Sequence, residues 1–241
     1  MNILLATLLD SGILNQLVQL DTELFLFFNS LHTTYFDPFM KLYSSKLVWV
    51  PLYISLVYVL WRNLSGRQFF CGLVCVALVI LFADQVSASL IRPYVARLRP
   101  ANPDNPIAPL VHIVDGYRGG RFSFPSCHAA NTVGLAVYVT LLLRHRGLSF
   151  FLMGWALLTC YSRIYLGVHY PGDLLVGGVI GAAVAYLMYR LFILAMYFIS
   201  EKPRLSRGNQ SLFTHPLHGI YWPMVVGLLT IVGIACYSAW C

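Results

Sequence analysis

A chain of 241 residues that is 59% hydrophobic and 10% charged, with a mean hydropathy of +0.71, falls well short of the roughly 25% charge of a soluble domain. That excludes an ordinary soluble globular protein and, at this length, points to a single polytopic membrane domain. The net charge of +7 is spread over short loops and forms no basic stripe, which argues against a nucleic-acid partner.

No Lys or Arg precedes Lys41, so the basic n-region of a signal peptide is missing and insertion is expected to use the spans themselves. Residues 13–44 interleave Asp21, Glu23, Asn29, His32 and Asp37 with Leu24–Phe28. That mixture suits helices lying in the membrane interface rather than crossing it. Six spans are expected after it: Leu47–Trp61, Phe69–Ile91, Ser126–Leu143, Leu148–Leu166, Asp173–Ile199 and Ile220–Trp240. A crossing helix needs about 20 apolar residues, within a range of about 17–25, so the first and third are short and their ends soft. The expected fold is therefore all-α: a polytopic membrane bundle of six transmembrane helices over residues 47–241, with N-terminal interfacial helices over residues 1–46, in one domain. Gly177, Gly178, Gly181, Ala182, Ala183 and Ala185 in the fifth span read as a close helix contact. The loop from Arg92 to Pro125, rich in Pro and Arg, is long enough to suggest function.

Three polar clusters sit at span ends. The second span ends at Arg92, the third begins at Ser126-Cys127-His128, the fourth ends at Ser162-Arg163, and the fifth begins just after His169. In an alternating bundle those four termini share one membrane face, so topology alone brings the clusters together. Arg92, Arg99 and Arg163 offer guanidinium forks that match phosphate oxygens. Two helix N-termini add free N–H groups and a positive dipole end. His128 and His169 supply a nucleophile and an acid/base. Asp173, four residues after His169, is placed to hydrogen-bond its ring and fix the tautomer. With no second carboxylate cluster, neither a metal nor another cofactor is expected.

Each residue also has a plainer reading. Arg92 and Arg163 alone could be interfacial anchors, His128 alone a satisfied interfacial histidine, and His169–Asp173 a structural pair. Asp84, inside the second span, reads as a buried hydrogen bond to a neighbouring helix or an Arg. Cys71, Cys75 and Cys160 read as small hydrophobes, and Cys236 with Cys241 as a weak candidate for a disulfide. His112, His145, His215 and His218 lie in loops and need no function.

Taken together, the polar residues resemble the type 2 phosphatidic acid phosphatase (PAP2) superfamily, whose motifs are K-x6-R-P, P-S-G-H and S-R-x5-H-x3-D. Here stand Arg92-x6-Arg99-Pro100, Pro125-Ser126-Cys127-His128 and Ser162-Arg163-x5-His169-x3-Asp173. The third is a full match, and the resemblance covers roughly residues 20–200. Arg92 replaces the family's Lys, and Cys127 replaces its Gly, which is harmless provided the turn there does not demand φ > 0. The resemblance implies a metal-independent lipid phosphatase in which His169 attacks phosphorus and forms a phosphohistidine. Asp173 would support it. His128 would protonate the leaving group and then activate water. Arg92, Arg99, Ser126, Cys127 and Arg163 would cradle the phosphoryl oxygens.

The expected substrate is a lipid phosphate or diphosphate: undecaprenyl diphosphate, lipid A phosphate or phosphatidylglycerophosphate. Two alternatives stay open: a lipid phosphotransferase using the same histidine, and a non-catalytic anion-binding or transport bundle. With Arg92, Arg99 and Arg163 set aside for chemistry, the loops opposite the polar clusters carry seven basic residues and the clusters' face carries five (Lys41, Lys46, Arg97, Arg118, Arg121). By the positive-inside rule the site then faces outward, in a bacterial inner membrane on the periplasmic face.

Overall fold

The computed structural model describes residues 12–199 and 217–240. Among these there is no strand, only an isolated bridge between Leu98 and Phe122. Helix α1 spans Gly12–Ser30 and α2 spans Phe36–Tyr43. α2 meets α3, which continues from a 3-10 turn at Leu47–Trp49 into Val50–Asn63, at a bend of 70°. α4 covers Gly66–Val95. It starts in a capping box, with the Ser65 side chain on the N3 backbone and the Gln68 side chain returning to the Ser65 N–H, which satisfies two orphan donors at once. It is α-helical to Gln85, π-helical over Val86–Ile91, and closes with one α-turn over Arg92–Val95. α5 is Cys127–Leu143, α6 is Arg146–Tyr165, α7 is Pro171–Ile199 and α8 is Trp222–Ser238.

α4, α6 and α7 are long and apolar enough to cross a membrane; the bent α2–α3 pair qualifies as a fourth crossing if taken as one span, and α5 and α8 are shorter apolar helices of 17 residues. α5 and α7 form the tightest pair. A Cβ on Gly181 would run into the Ala130 backbone carbonyl, and one on Gly177 into that of Ser126. Small residues at these two positions let the backbones touch, which is the contact expected from the run Gly177–Ala185. The larger core gathers Tyr43, Trp49 and Trp155 edge to edge, with ring centroids 4.7 and 5.6 Å apart, an arrangement favoured by the aromatic quadrupoles.

α1 turns Ile13, Leu14, Leu17, Leu24 and Phe27 outward, while Phe25 and Asn29 are buried. Asn29 is the pin. Its amide donates to the carbonyls of Ile164 and Tyr165 at the end of α6 and to that of His112, and its own carbonyl accepts from the His112 N–H. His112 in turn stacks on His32 at 3.7 Å and bonds Asp37. The N-terminal helices are thus fastened to the loop following α4 and to the α6–α7 turn by buried hydrogen bonds. Asp84 meets Asn131 of α5 at 3.4 Å, the neighbouring-helix partner expected for it. His145 caps α6 by accepting from the Leu148 N–H. Cys236 is exposed and free; Cys241 and His215 lie outside the described residues.

Candidate active site

Three hydrogen-bonded junctions draw the helix ends together. The Ser126 N–H donates to the Asp173 carbonyl at 3.0 Å, joining the starts of α5 and α7. Arg92 donates through Nη2 to the Pro125 carbonyl at 2.8 Å and to Cys127 Sγ at 2.9 Å, joining the end of α4 to the start of α5. The Ala101 N–H donates to the Gly167 carbonyl at 2.9 Å, laying the loop on the α6–α7 turn. Gly167 has φ +73°, and a Cβ there would sit 2.7 Å from Val111 Cγ1. Only glycine fits so tight a turn, and this turn delivers His169 two residues later.

His169 is 2% exposed and Asp173 fully buried. Nδ1 of His169 faces Asp173 Oδ2 at 3.4 Å and makes no hydrogen bond. That length lies outside the usual 2.7–3.2 Å, so the bond expected between them is not closed in this geometry. Asp173 Oδ2 accepts from the Tyr170 N–H at 2.8 Å. Catalytic hydrogen bonds that are long without substrate commonly tighten with it. Burial first, then the charges of Arg99, Arg163 and Arg92, push the His169 pKa well below the ordinary imidazole value, while a backbone contact with Ser123 works the other way. The ring is therefore neutral near pH 7, the form with a free lone pair.

The arginines hold to the surrounding backbone and hydroxyls. Arg99 is 9% exposed and donates to the carbonyls of Phe122 and Val168. Burial, then the Arg163 charge, lower its pKa to about 10. Gly119, at φ +68°, makes room for it, since a Cβ there would lie 2.6 Å from Arg99 Nη1. Arg163, 3% exposed, donates to Ser44 Oγ and to Tyr117 OH. Ser126 caps α5, its Oγ accepting from the Ala129 N–H, which leaves the first N–H groups of that helix at the site. Cys127 is the first residue of α5 and is not among the positive-φ residues, so the replacement of glycine there carries no backbone strain. His128 is half-buried and lies where the charges of Arg163, His169, Lys46 and Arg99 all reach it. All eight residues singled out in the sequence thus stand at one end of the bundle. Among the described residues no group of three or more His, Cys, Asp or Glu side chains could hold a metal ion.

The structure adds residues that the motifs do not mark. Arg97 Nη1 lies 2.6 Å from Asp21 Oδ2 and 3.3 Å from Asp173 Oδ1, and its guanidinium stacks 3.5 Å from the Tyr170 ring centroid. Asp21 also accepts from the Gly172 N–H at 2.7 Å, at the start of α7. A carboxylate from α1 thereby caps α7 and, through Arg97, steadies the carboxylate beside His169. Nothing in sequence spacing separates Arg97 from the other arginines of its loop, and Asp21 stands about 150 residues from its partner at Gly172. Tyr117 and Ser44, the partners of Arg163, were equally silent.

The model of the PAP2 superfamily matches residues 72–197, just over half of the chain. A lipid A 4'-phosphatase of Bacteroides thetaiotaomicron is 47% identical over 225 residues, covering 92% of this chain and 96% of that protein. The chain belongs to the PAP2 superfamily. A second relative, a lipid A 4'-phosphatase of Porphyromonas gingivalis, is 31% identical over 180 residues, covering 74% of this chain and 75% of that protein. The crystal structure of Aquifex aeolicus LpxE shares the fold at a TM-score of 0.54, with 23% identity over 71% of this chain and 95% of that one. With its apolar helices and these relatives, this PAP2 protein is an integral membrane lipid phosphatase.

Proposed function

We propose that this lipid phosphatase removes the 4'-phosphate of lipid A through a phosphohistidine on His169, with its site on the periplasmic face of the inner membrane. The substrate rests on the 47% identity that runs through nearly the whole of both chains. The mechanism rests on one arrangement: a buried, neutral His169 beside Asp173 under three guanidiniums, with His128 across the site. Six crossings follow if the bent α2–α3 pair and the two 17-residue helices span along with α4, α6 and α7. The basic residues of the opposite loops favour the outward orientation.

In the first step the His169 nitrogen remote from Asp173 attacks phosphorus. The phosphorus–oxygen bond to the lipid breaks, and His128 gives its proton to the departing oxygen. The charge left on His169 is met by Asp173, which Arg97 and the Tyr170 N–H keep in place. Arg92, Arg99, Arg163 and the first N–H groups of α5 hold the phosphoryl oxygens and the charge that develops on them. In the second step His128 takes a proton from water, the hydroxyl attacks phosphorus, the phosphorus–nitrogen bond breaks and inorganic phosphate leaves. Next to His128 an apolar cavity of about 340 Å³ opens between α3, α4, α5 and α6, walled by Leu56, Leu73, Val76, Leu135 and Trp155, where an acyl chain can stay in the bilayer while the headgroup reacts.

The test is inorganic phosphate release by the purified protein from lipid A, a polyprenyl diphosphate and phosphatidylglycerophosphate, in EDTA, with His169→Ala as control. Release from lipid A in EDTA, lost in the variant, supports the reading. Transfer of phosphate to another lipid without free phosphate would replace it with a transferase.

A further inference from the structure

A second cavity of about 310 Å³ adjoins the apolar one, and His128 lines both. Tyr117 and Arg163 line this second cavity, whereas His169, Arg92 and Arg99 do not. In the mechanism above His128 gives its proton to the departing oxygen, so this cavity lies on the leaving-group side of phosphorus. Tyr117 enters it from the loop between α4 and α5. The Tyr117 N–H closes a turn on the Val114 carbonyl at 2.9 Å, and the next residue, Arg118, donates through Nη1 to the carbonyl of the buried Ala101 at 2.5 Å. The tyrosine ring is 40% exposed, but its hydroxyl rests on a cation that is 3% exposed: Arg163 Nη2 donates to it at 3.2 Å. Arg163 Nη1 is held by Ser44 Oγ, and its buried Nε has no partner among the described residues, so the grip of the two hydroxyls leaves an N–H for phosphate. A phenol oxygen that accepts from a guanidinium still has its own proton to give, and the neighbouring charge makes it a stronger donor. Burial pushes the Tyr117 pKa up, but the charge and hydrogen bond of Arg163 outweigh it and bring the phenol below its ordinary value.

We infer that Tyr117 is a catalytic residue of the first step, its hydroxyl donating a hydrogen bond to the oxygen that leaves with the lipid. This deepens the proposed function and rests on it. The bonds made and broken stay as above: the phosphorus–oxygen bond to the lipid breaks, the proton that ends on the lipid alcohol comes from His128, and Tyr117 keeps its own. Tyr117 adds a second donor where negative charge grows. Such a donor matters most when the leaving group is an aliphatic alcohol, whose oxide is too basic to depart unaided.

The experiment measures kcat/KM by the full chain in detergent, with enzyme in excess so that slow reactions are still read, on two substrates. One is lipid A, replaced by phosphatidylglycerophosphate if the phosphate-release test favours that lipid. The other is a nitrophenyl phosphate carrying an alkyl chain, whose phenolate leaves without help from a donor. Because kcat/KM ends at the first irreversible step, it reports cleavage from the lipid and not the later attack of water. Tyr117→Phe keeps the ring beside Arg163 and is expected to lower kcat/KM on the lipid about 10²-fold, with the lipid-to-aryl ratio falling at least about tenfold. Ser44→Ala loosens Arg163 from its other side and is expected to lower both substrates alike. Because the readout is a ratio within each variant, partial misfolding cancels. Equal losses on the two substrates in Tyr117→Phe, no loss on the lipid, or the same skew in Ser44→Ala overturns the inference, since Tyr117 would then act through Arg163 or not at all. His128→Ala in the same panel separates the two failures. If it spares the aryl phosphate and Tyr117→Phe does not, Tyr117 alone fails; if His128→Ala loses equally on both, the assignment of His128 to the leaving oxygen falls and takes Tyr117 with it.

Discussion

The two histidines of this site differ in how far they are enclosed. His169 is sealed, 2% exposed, placed by a glycine turn and kept neutral by burial first and then by the guanidiniums around it. His128 is half-buried, on the edge of the apolar cavity and of a neighbouring pocket lined by Lys41, Lys46 and Arg163. The difference matches two tasks. A nucleophile gains from fixed geometry and a free lone pair. An acid/base must reach both the leaving oxygen and, later, water. Preorganisation is concentrated on one side of phosphorus and access on the other.

Removing each histidine tests that division most severely. His169→Ala is expected to lower kcat on the order of 10⁴-fold or more, because no covalent step remains. His128→Ala is expected to cost about 10²–10⁴-fold and, if water activation becomes limiting, to leave a phosphorylated protein that can be isolated after an alkaline quench. Equal losses with no trapped adduct in His128→Ala would remove the distinction between the two sides.

The pH profile sharpens it. The His169 pKa is depressed in the folded chain, so its protonation is not expected to produce an acid limb in kcat/KM near pH 6.5. Arg99→Gln removes the largest single charge holding it down, so the acid limb is expected to move toward higher pH. The linked effect on stability has a definite sign. A His held neutral when folded, with an unfolded value of about 6.5, contributes stability above that pH, and the contribution is lost as pH falls toward the folded pKa. Arg99→Gln should soften that acid loss, checked by thermal unfolding in detergent from pH 7 to 5.

Three smaller effects probe the support. Arg97→Ala leaves Asp173 buried without its cation and is expected to destabilise the fold by about 3 kcal/mol and to lower kcat more than it raises KM. Asp21→Asn keeps the shape and should cost about 1 kcal/mol. A rise in KM alone for Arg97→Ala would make Arg97 a substrate ligand instead. Cys127→Gly should change kcat/KM by no more than about twofold, because Cys127 already sits in helical backbone; its stability cost is about 1 kcal/mol or less.

The parts of this molecule that could be read from its sequence are those set by period and by alternation. Long apolar runs mark α4, α6 and α7, and counting crossings brings Arg92, Ser126–His128, Arg163 and His169 to one end. The glycines at 177 and 181 announced the α5–α7 contact for a physical reason, since a Cβ at either would collide with backbone. What stayed hidden depends on contacts between residues far apart in the chain. Asp21 reaching Arg97 and Gly172, Asn29 pinning α1 to α6, and Ser44 and Tyr117 holding Arg163 leave no periodic trace. The expected His169–Asp173 hydrogen bond is not made: the two side chains face each other at 3.4 Å, a separation that spacing along a turn does not set.

The central claim is covalent catalysis by His169, and the most direct measurement is rapid acid-free quench of wild type and His128→Ala during turnover of lipid A, followed by phosphopeptide mapping. The account predicts a phosphoryl group on His169, more abundant in His128→Ala and absent from His169→Ala. Inorganic phosphate released at the normal rate with no adduct, or an adduct on His128 instead, would contradict it.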